Sequence, residues 1–283
     1  MAGPFRLIQV SDTHLSPRHA GFNANFDVVA TRLRDARPDL VVHTGDVSAH
    51  GERGEDLDFA RARMDGLGLD WLAVPGNHDV GDDPAIAVRD PAESAQVTRW
   101  RSAFGPDLFV RDVPGWRLVG LDSLISGAAA PEAEAQFATL ADALAGAGDR
   151  ALALFLHKPL CYRSLDEVPA NPWSVPPAPR RRILELLRGH PPAFVASGHV
   201  HQWWDRGVFD GLRQIWAPAT AFLVGDPWQQ RVGDKVLGYV EHDLHPDGRH
   251  ECRLVQPAGL AAHDLGLMPE VYGPQAHYGL EAG

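Results

Sequence analysis

Five short apolar runs in this chain end on side chains that bind metal ions. Leu-Ile-Gln-Val runs into Ser11-Asp12-Thr13-His14, Leu-Val-Val-His-Thr into Gly45-Asp46, and Trp-Leu-Ala-Val-Pro into Gly76-Asn77-His78-Asp79. Ala-Leu-Ala-Leu-Phe-Leu stops at His157, and Ala-Phe-Val-Ala-Ser at Gly198-His199-Val200-His201. The donors are carboxylate, amide and imidazole without thiolate, a set that suits Fe, Mn, Zn or Co and does not choose among them. Asp12, His14, Asp46, Asn77, His157, His199 and His201 exceed the needs of one four-coordinate ion and suit two. A carboxylate such as Asp46 has two oxygens and can bridge a pair. Two divalent or trivalent ions about 3.5–4 Å apart clamp a phosphoryl group for in-line displacement and generate hydroxide near neutral pH.

Such residues must be delivered to one rim by a rigid scaffold. Open α/β sheets do this at the carboxyl ends of their strands. If the segments stay extended, side chains at i and i+2 point the same way, so Asp12/His14 and His199/His201 would form two pincers. The glycines before Asp46, Asn77 and His199 allow tight turns and close backbone approach.

The strands are expected at Leu7–Val10, Leu40–His43, Trp71–Val74, Trp116–Leu121, Ala151–Leu156 and Ala193–Ala196, then Gln214–Ala217, Leu237–Glu241 and Cys252–Val255. Helices fit between them. Phe26, Val29, Ala30 and Leu33 recur at helical spacing. Pro131 opens a second helix, with Glu132 and Glu134 near its positive end, Phe137, Leu140, Ala141 and Leu144 on one face, and Gly146 at its stop. Ile183, Leu184 and Leu187 share one side of a third, over Arg180–Arg188. Alternation of this kind predicts an α/β layered fold, with antiparallel additions after about Arg213. Residues 1–256 read as one domain with a proline-rich cap or loop at 160–179. Residues 257–283 read as a C-terminal tail without periodicity.

The ordered set D-x-H, G-D, G-N-H-D, H, G-H-x-H resembles the calcineurin-like metallophosphoesterase superfamily, spans residues 12 to 201, and has every position filled. The resemblance implies a four-layer α/β/β/α sandwich of two mixed β-sheets flanked by helices. It implies a first metal on Asp12, His14, Asp46 and His201 and a second on Asp46, Asn77, His157 and His199. It casts His78 as the residue that contacts the phosphoryl group and protonates the leaving oxygen, oriented by Asp79. Three branches fit poorly. Protein Ser/Thr phosphatases carry an Arg soon after G-D, where this chain reads Val47-Ser48-Ala49-His50-Gly51; purple acid phosphatases need a tyrosine where Ala49 stands; lipid A pathway pyrophosphohydrolases carry Arg in place of His78. The pattern is similar to the bacterial cyclic-nucleotide phosphodiesterase and glycerophosphodiesterase branch.

The expected activity is therefore phosphodiester hydrolysis, cyclic nucleotide or glycerophosphodiester, by a hydroxide held between two ions. A phosphomonoester, pyrophosphate or phosphotriester substrate is the alternative at the same site, and a non-catalytic scaffold is a third reading. Asn77, His78, Lys158 and Trp203 are candidate substrate contacts. Trp203 belongs to a group with Trp173, Trp204, Trp216 and Trp228 that either forms an aromatic wall or packs in the core. Lys158 either reaches a phosphate or is solvated, and Arg180-Arg181-Arg182 reads as a solvated face. The other histidines, among them His19, His43, His50, His242 and His250, read as ordinary surface or core residues.

Composition narrows the partners. The 283 residues carry a net charge of -11, which disfavours a broad nucleic-acid footprint and leaves a small-molecule phosphoester as the expected partner. Cys161 and Cys252 are too few for a disulfide framework and read as reduced thiols. The N-terminus shows no basic segment followed by a long apolar run, and no run approaches about 18 apolar residues, so the cytoplasm is the expected compartment. A homo-oligomer, dimer or higher, is left open, with the proline-rich segment and the tail as interface candidates.

Overall fold

The computed structural model describes residues 3–87 and 90–277. In chain order its elements are β1 (Phe5–Val10), α1 (Ala20–Ala36), β2 (Leu40–His43), α2 (Gly54–Asp65), β3 (Trp71–Ala73), α3 (Asn77–Val80), α4 (Ser94–Phe104), β4 (Phe109–Val113) and β5 (Trp116–Gly120). Then follow α5 (Pro131–Ala145), β6 (Ala151–Phe155), α6 (Pro177–Leu187), β7 (Phe194–Ser197), β8 (Trp204–Phe209), β9 (Leu212–Trp216), β10 (Tyr239–Leu244) and β11 (His250–Val255). A short 3₁₀ turn, Leu265–Leu267, and α7 (Pro269–Tyr272) close the described chain.

These strands make two mixed sheets, in the order β11-β10-β1-β2-β3 and β4-β5-β6-β7-β9-β8. β1, β2 and β3 run parallel, as do β5, β6, β7 and β9; β10, β11, β4 and β8 are the antiparallel additions. Alternation along each strand divides its side chains between two cores. Leu7, Leu40 and Val42 face Phe155, Phe194 and Ile215 between the sheets. Ile8, Val10 and Val41 face Phe26, Val29 and Leu33 of α1 and Leu57 and Met64 of α2. Val119, Leu154 and Val195 face Phe137 and Leu140 of α5 and Ile183 of α6. The result is helix, sheet, sheet, helix. Strands buried on both faces read as continuous apolar runs, which is why the central ones were visible in the sequence.

β4 and β8 were not anticipated. They are edge strands with charges in line, Arg111-Asp112 and Asp205-Arg206, and several exposed positions. α2 and α4 also escaped, although Leu57, Ala60 and Met64, and Val97, Trp100 and Phe104, line their buried sides. α6 starts at Pro177, not Arg180, and Arg180 is buried rather than solvated, paired with Glu167 of the proline-rich segment. Both cysteines are free thiols. Among the described residues no helix is long and apolar enough to cross a membrane.

Candidate metal centre

All five motif turns follow the carboxyl ends of β1, β2, β3, β6 and β7, so one rim collects them. The two pincers do not arise from extended backbone. Asp12, His14, Asp46, His199 and His201 all have positive φ, 53°, 43°, 52°, 66° and 53°. Each such residue costs on the order of 1–3 kcal/mol and persists where its surroundings over-determine it. Here they do. Asp12 N–H donates to Gly45 O and His14 N–H to Asp46 O, both at 3.0 Å, and Ala221 N–H donates to Asp12 O at 3.0 Å. His199 N–H donates to Asp12 Oδ2, also at 3.0 Å. The left-handed turns aim the side chains into the gap instead of along the strands.

Gly76 and Gly198 are among the glycines required by contact. A Cβ on Gly76 would collide with Asp46 Oδ1 and the Asp46 backbone, and one on Gly198 with Ser11 Oγ and Asp12 Oδ2.

The ligand-capable atoms of the described residues form three overlapping groups, one of which, His14, Asp46 and His78, shares a residue with each of the other two. Asp12, His14 and His201 offer atoms within 4.8 Å of one another, as do Asp46, His157 and His199. In the first group Asp12 Oδ1 lies 3.2 Å from His201 Nε2. In the second, His157 Nε2 lies 3.1 Å from Asn77 Oδ1 and 3.1 Å from His199 Nδ1. Asp46 Oδ2 stands between the groups, 3.3 Å from His157 Nε2 and 3.7 Å from His14 Nε2. Its Oδ1 accepts the N–H of His78 at 2.8 Å, so a single oxygen faces both sides.

Every histidine of the set has its other nitrogen on an oxygen. His201 Nδ1 meets Phe222 O at 2.9 Å, His157 Nδ1 meets Thr44 O at 2.8 Å, and His199 Nε2 meets Pro172 O at 2.8 Å. His14 Nδ1 meets the Tyr272 hydroxyl at 2.7 Å. A carbonyl can only accept, so at His157, His199 and His201 that nitrogen carries a proton and the other nitrogen is the one that faces the gap. This outer hydrogen bond is the arrangement that orients metal-binding histidines. Asp12 Oδ1 and His14 Nε2 are buried with no hydrogen-bond partner, which a hydrogen-bonded interior tolerates poorly and a cation would satisfy.

The electrostatics favour positive charge in the gap. Burial, the largest single influence, pulls His157 down, but Asp46, Asp12 and the Thr44 carbonyl together lift it to about 9. His201 is raised in the same way by Asp12 against burial. His14 and His199, where burial dominates, fall well below the ordinary imidazole value.

The Asp79 carboxylate is hydrogen-bonded to the backbone and to Ser48, not to the His78 ring. It accepts Gly76 N–H at 2.9 Å, Val47 N–H at 3.1 Å, and Ser48 N–H and Oγ–H at 2.8 and 2.7 Å. It caps α3 from its third position and clips the Asp46 loop to that cap. Burial, with Asp46 nearby, pushes its carboxyl up to about 7 against those donors.

Lys158 is buried, its Nζ held by Asp82 at 2.6 Å and Pro172 O at 2.8 Å, so it ties down the proline-rich segment instead of meeting solvent. Trp203 packs against the core between the sheets. The tryptophan that meets a candidate ligand is Trp173, 5.9 Å from the His199 ring. His78 packs 4.9 Å from His14 and 4.3 Å from Tyr272, at a cleft of about 670 Å³ also lined by Asn77, Asp82, Pro172 and Val271.

Three contributors went unread in the sequence. His43, pushed down to about 3 by burial, accepts Gly45 N–H at 3.2 Å and holds Thr13 Oγ1 at 3.0 Å. His50 lines the cleft. Tyr272 lies in the segment read as a tail, far from any motif, with no local signal. Residues 278–283 of that segment lie outside the described residues.

A two-sheet sandwich carrying carboxylate, amide and imidazole groups at one rim is the frame of a metal-dependent phosphoesterase. The calcineurin-like phosphoesterase family matches residues 5–203, and the chain belongs to that family. It is 31% identical over 262 residues to a 3′,5′-cyclic adenosine monophosphate phosphodiesterase from Pseudomonas aeruginosa, covering 87% of each chain. It is 25% identical to a probable cyclic nucleotide phosphodiesterase from a Synechococcus strain, covering 86% of this chain and 88% of that protein. The fold is similar to a dimetal phosphatase from Danio rerio, with a TM-score of 0.59 and 16% identity over 91% of this chain and 100% of that one.

Proposed function

We propose that this protein hydrolyses a phosphodiester, with a cyclic nucleotide as the first substrate to test, at a centre that holds two cations. The observation that supports the reading most is the outer hydrogen bonding of His14, His157, His199 and His201, which leaves one ring nitrogen of each aimed into the gap. Asp12, His14 and His201 would hold one ion, Asn77, His157 and His199 the other, and Asp46 both. Bound there, such ions lower the pKa of a water and neutralise charge on the phosphoryl oxygens.

The chain's own residues do the rest. Hydrolysis joins a water oxygen to phosphorus and breaks one ester bond, and the departing oxygen takes a proton. His78 has its backbone fixed to Asp46 Oδ1 and its ring at the cleft, where it can supply that proton. Asp79 keeps Asp46 and Asn77 in mutual register through the loop it clips. The cleft has room for a nucleoside portion beside His78. The similarity to a cyclic adenosine monophosphate phosphodiesterase over most of both chains favours that substrate class.

The test is turnover by purified protein loaded in turn with Mn, Fe, Zn and Co. We expect hydrolysis of bis(p-nitrophenyl) phosphate and 3′,5′-cyclic adenosine monophosphate, and a weaker rate on p-nitrophenyl phosphate. Inactivity with every metal rejects the reading. A monoester rate above both diester rates moves the protein to the phosphomonoesterase alternative.

A further inference from the structure

We propose that Tyr272 is a positioning residue for the first cation, so that the C-terminal segment completes the metal centre. This inference rests on His14 being a metal ligand, as read above.

Among the four histidines, three give their outer nitrogen to a main-chain carbonyl, of Phe222, Thr44 or Pro172. Only His14 gives it to a side chain, the Tyr272 hydroxyl, 258 positions away in sequence and 2.7 Å away in space. That hydroxyl has one proton and a second neighbour, Ala49 O at 3.3 Å. The carbonyl can only accept, so the phenolic proton goes to Ala49 and the phenolic oxygen accepts from His14 Nδ1. His14 is thereby held in the tautomer whose Nε2 lone pair faces Asp12, Asp46 and His201. Nε2 is the nitrogen that has no hydrogen-bond partner.

The tyrosine is not a loose end lying on the surface. Val271 and Leu265 are buried in one cluster with Phe22, Ala221, Phe222 and Val224. Asp264 accepts Gly225 N–H at 3.2 Å, and Leu265 N–H donates to Leu223 O at 2.9 Å. Asn25 of α1 holds Ala261 from both sides, accepting its N–H at 2.8 Å and donating to its O at 2.9 Å. Residues from α1, the loop after β9 and the C-terminal segment thus fix where the hydroxyl stands. The same cluster covers the first group: Phe222 lies 4.6 Å from the His14 ring and 4.5 Å from the His201 ring.

The experiment is calorimetric titration of metal-free full-length protein with Mn²⁺, comparing wild type, Tyr272→Phe, Val271→Ala and His14→Ala. Tyr272→Phe deletes the hydroxyl and keeps the ring; Val271→Ala loosens the packing and keeps the hydroxyl. We expect two binding steps in wild type. In Tyr272→Phe one step should weaken by about 10–100-fold, the range for loss of an outer partner, while the other holds. The weakened step should be the one His14→Ala abolishes, and Val271→Ala should keep both near wild-type affinity. Unchanged affinities in Tyr272→Phe overturn the proposal, as does equal weakening of both steps or a Val271→Ala variant as weak as Tyr272→Phe. A wild-type chain that takes up no Mn²⁺ overturns the two-cation reading and this inference with it. Two normal steps in both wild type and Tyr272→Phe overturn the inference alone.

Discussion

The two halves of the candidate centre each pair two histidines with one oxygen donor, Asp12 in one and Asn77 in the other, and they are supported in different ways. The half formed by Asp12, His14 and His201 has one side-chain support, the Tyr272 hydroxyl on His14, beside one main-chain carbonyl, Phe222 O on His201, and the Phe222 ring packs on both. The half formed by Asn77, His157 and His199 is backed by main-chain carbonyls of Thr44 and Pro172, the latter tied down by Lys158 and Asp82. Thr44 and Pro172 lie within the family-matched residues 5–203, whereas Phe222 and Tyr272 lie beyond them. A carbonyl cannot be deleted by substitution, and a hydroxyl can. The first half is therefore open to tuning by single changes outside the motif region, while the second changes only if the loops that carry its carbonyls move.

Asp46 offers the strongest way to break this comparison, because its Oδ2 faces both halves. Asp46→Ala should abolish both Mn²⁺ binding steps and lower kcat/KM by about 10³-fold or more, given several kcal/mol for such an ion and tenfold per 1.36 kcal/mol. Retention of one tight step would show that Asp46 serves one side only. Asn77→Ala should act on the second half alone, with a loss on the order of 10²-fold in kcat/KM and the first binding step intact. Loss of both steps there would merge the halves into one unit.

Smaller effects sharpen the contrast. Lys158→Met removes the cation that holds Asp82 and the Pro172 carbonyl, so it should destabilise the protein by about 1–3 kcal/mol in urea unfolding and weaken only the second step. Asp79→Asn replaces an acceptor of four donors by a group with one acceptor oxygen and an NH₂ that faces N–H groups. Because Asp79 clips the loop of Asp46, both steps should weaken together, by severalfold, alongside a loss of about 1–3 kcal/mol in the same unfolding assay. A change confined to one step would assign Asp79 to that half.

The candidate ligands and most of the frame were legible in the sequence for a single reason. Buried parallel strands are apolar throughout and stop abruptly, so Asp12, Asp46, Asn77, His157 and His199 stand out at their ends. Where the physics is not local, the reading failed. The Asp12/His14 and His199/His201 pairs meet through left-handed turns, and positive φ at these five Asp and His residues, types that tolerate it better than most, is fixed by loop-to-loop hydrogen bonds that the sequence does not display. β4 and β8 lie at sheet edges and lack an apolar signature. Lys158 read as reaching a phosphate or solvated, and Arg180 as solvated, because charge usually meets water; both are buried instead, paired with Asp82 and Glu167. Tyr272 carried no pattern at all, since its role depends on where a segment without periodicity comes to rest.

The most direct test of the account is anomalous diffraction at the Mn edge from crystals of the Mn-loaded protein. Two peaks are predicted about 3.5–4 Å apart, one enclosed by Asp12, His14 and His201, the other by Asn77, His157 and His199, with Asp46 between them. A single peak, or density at a site lacking these side chains, would contradict it.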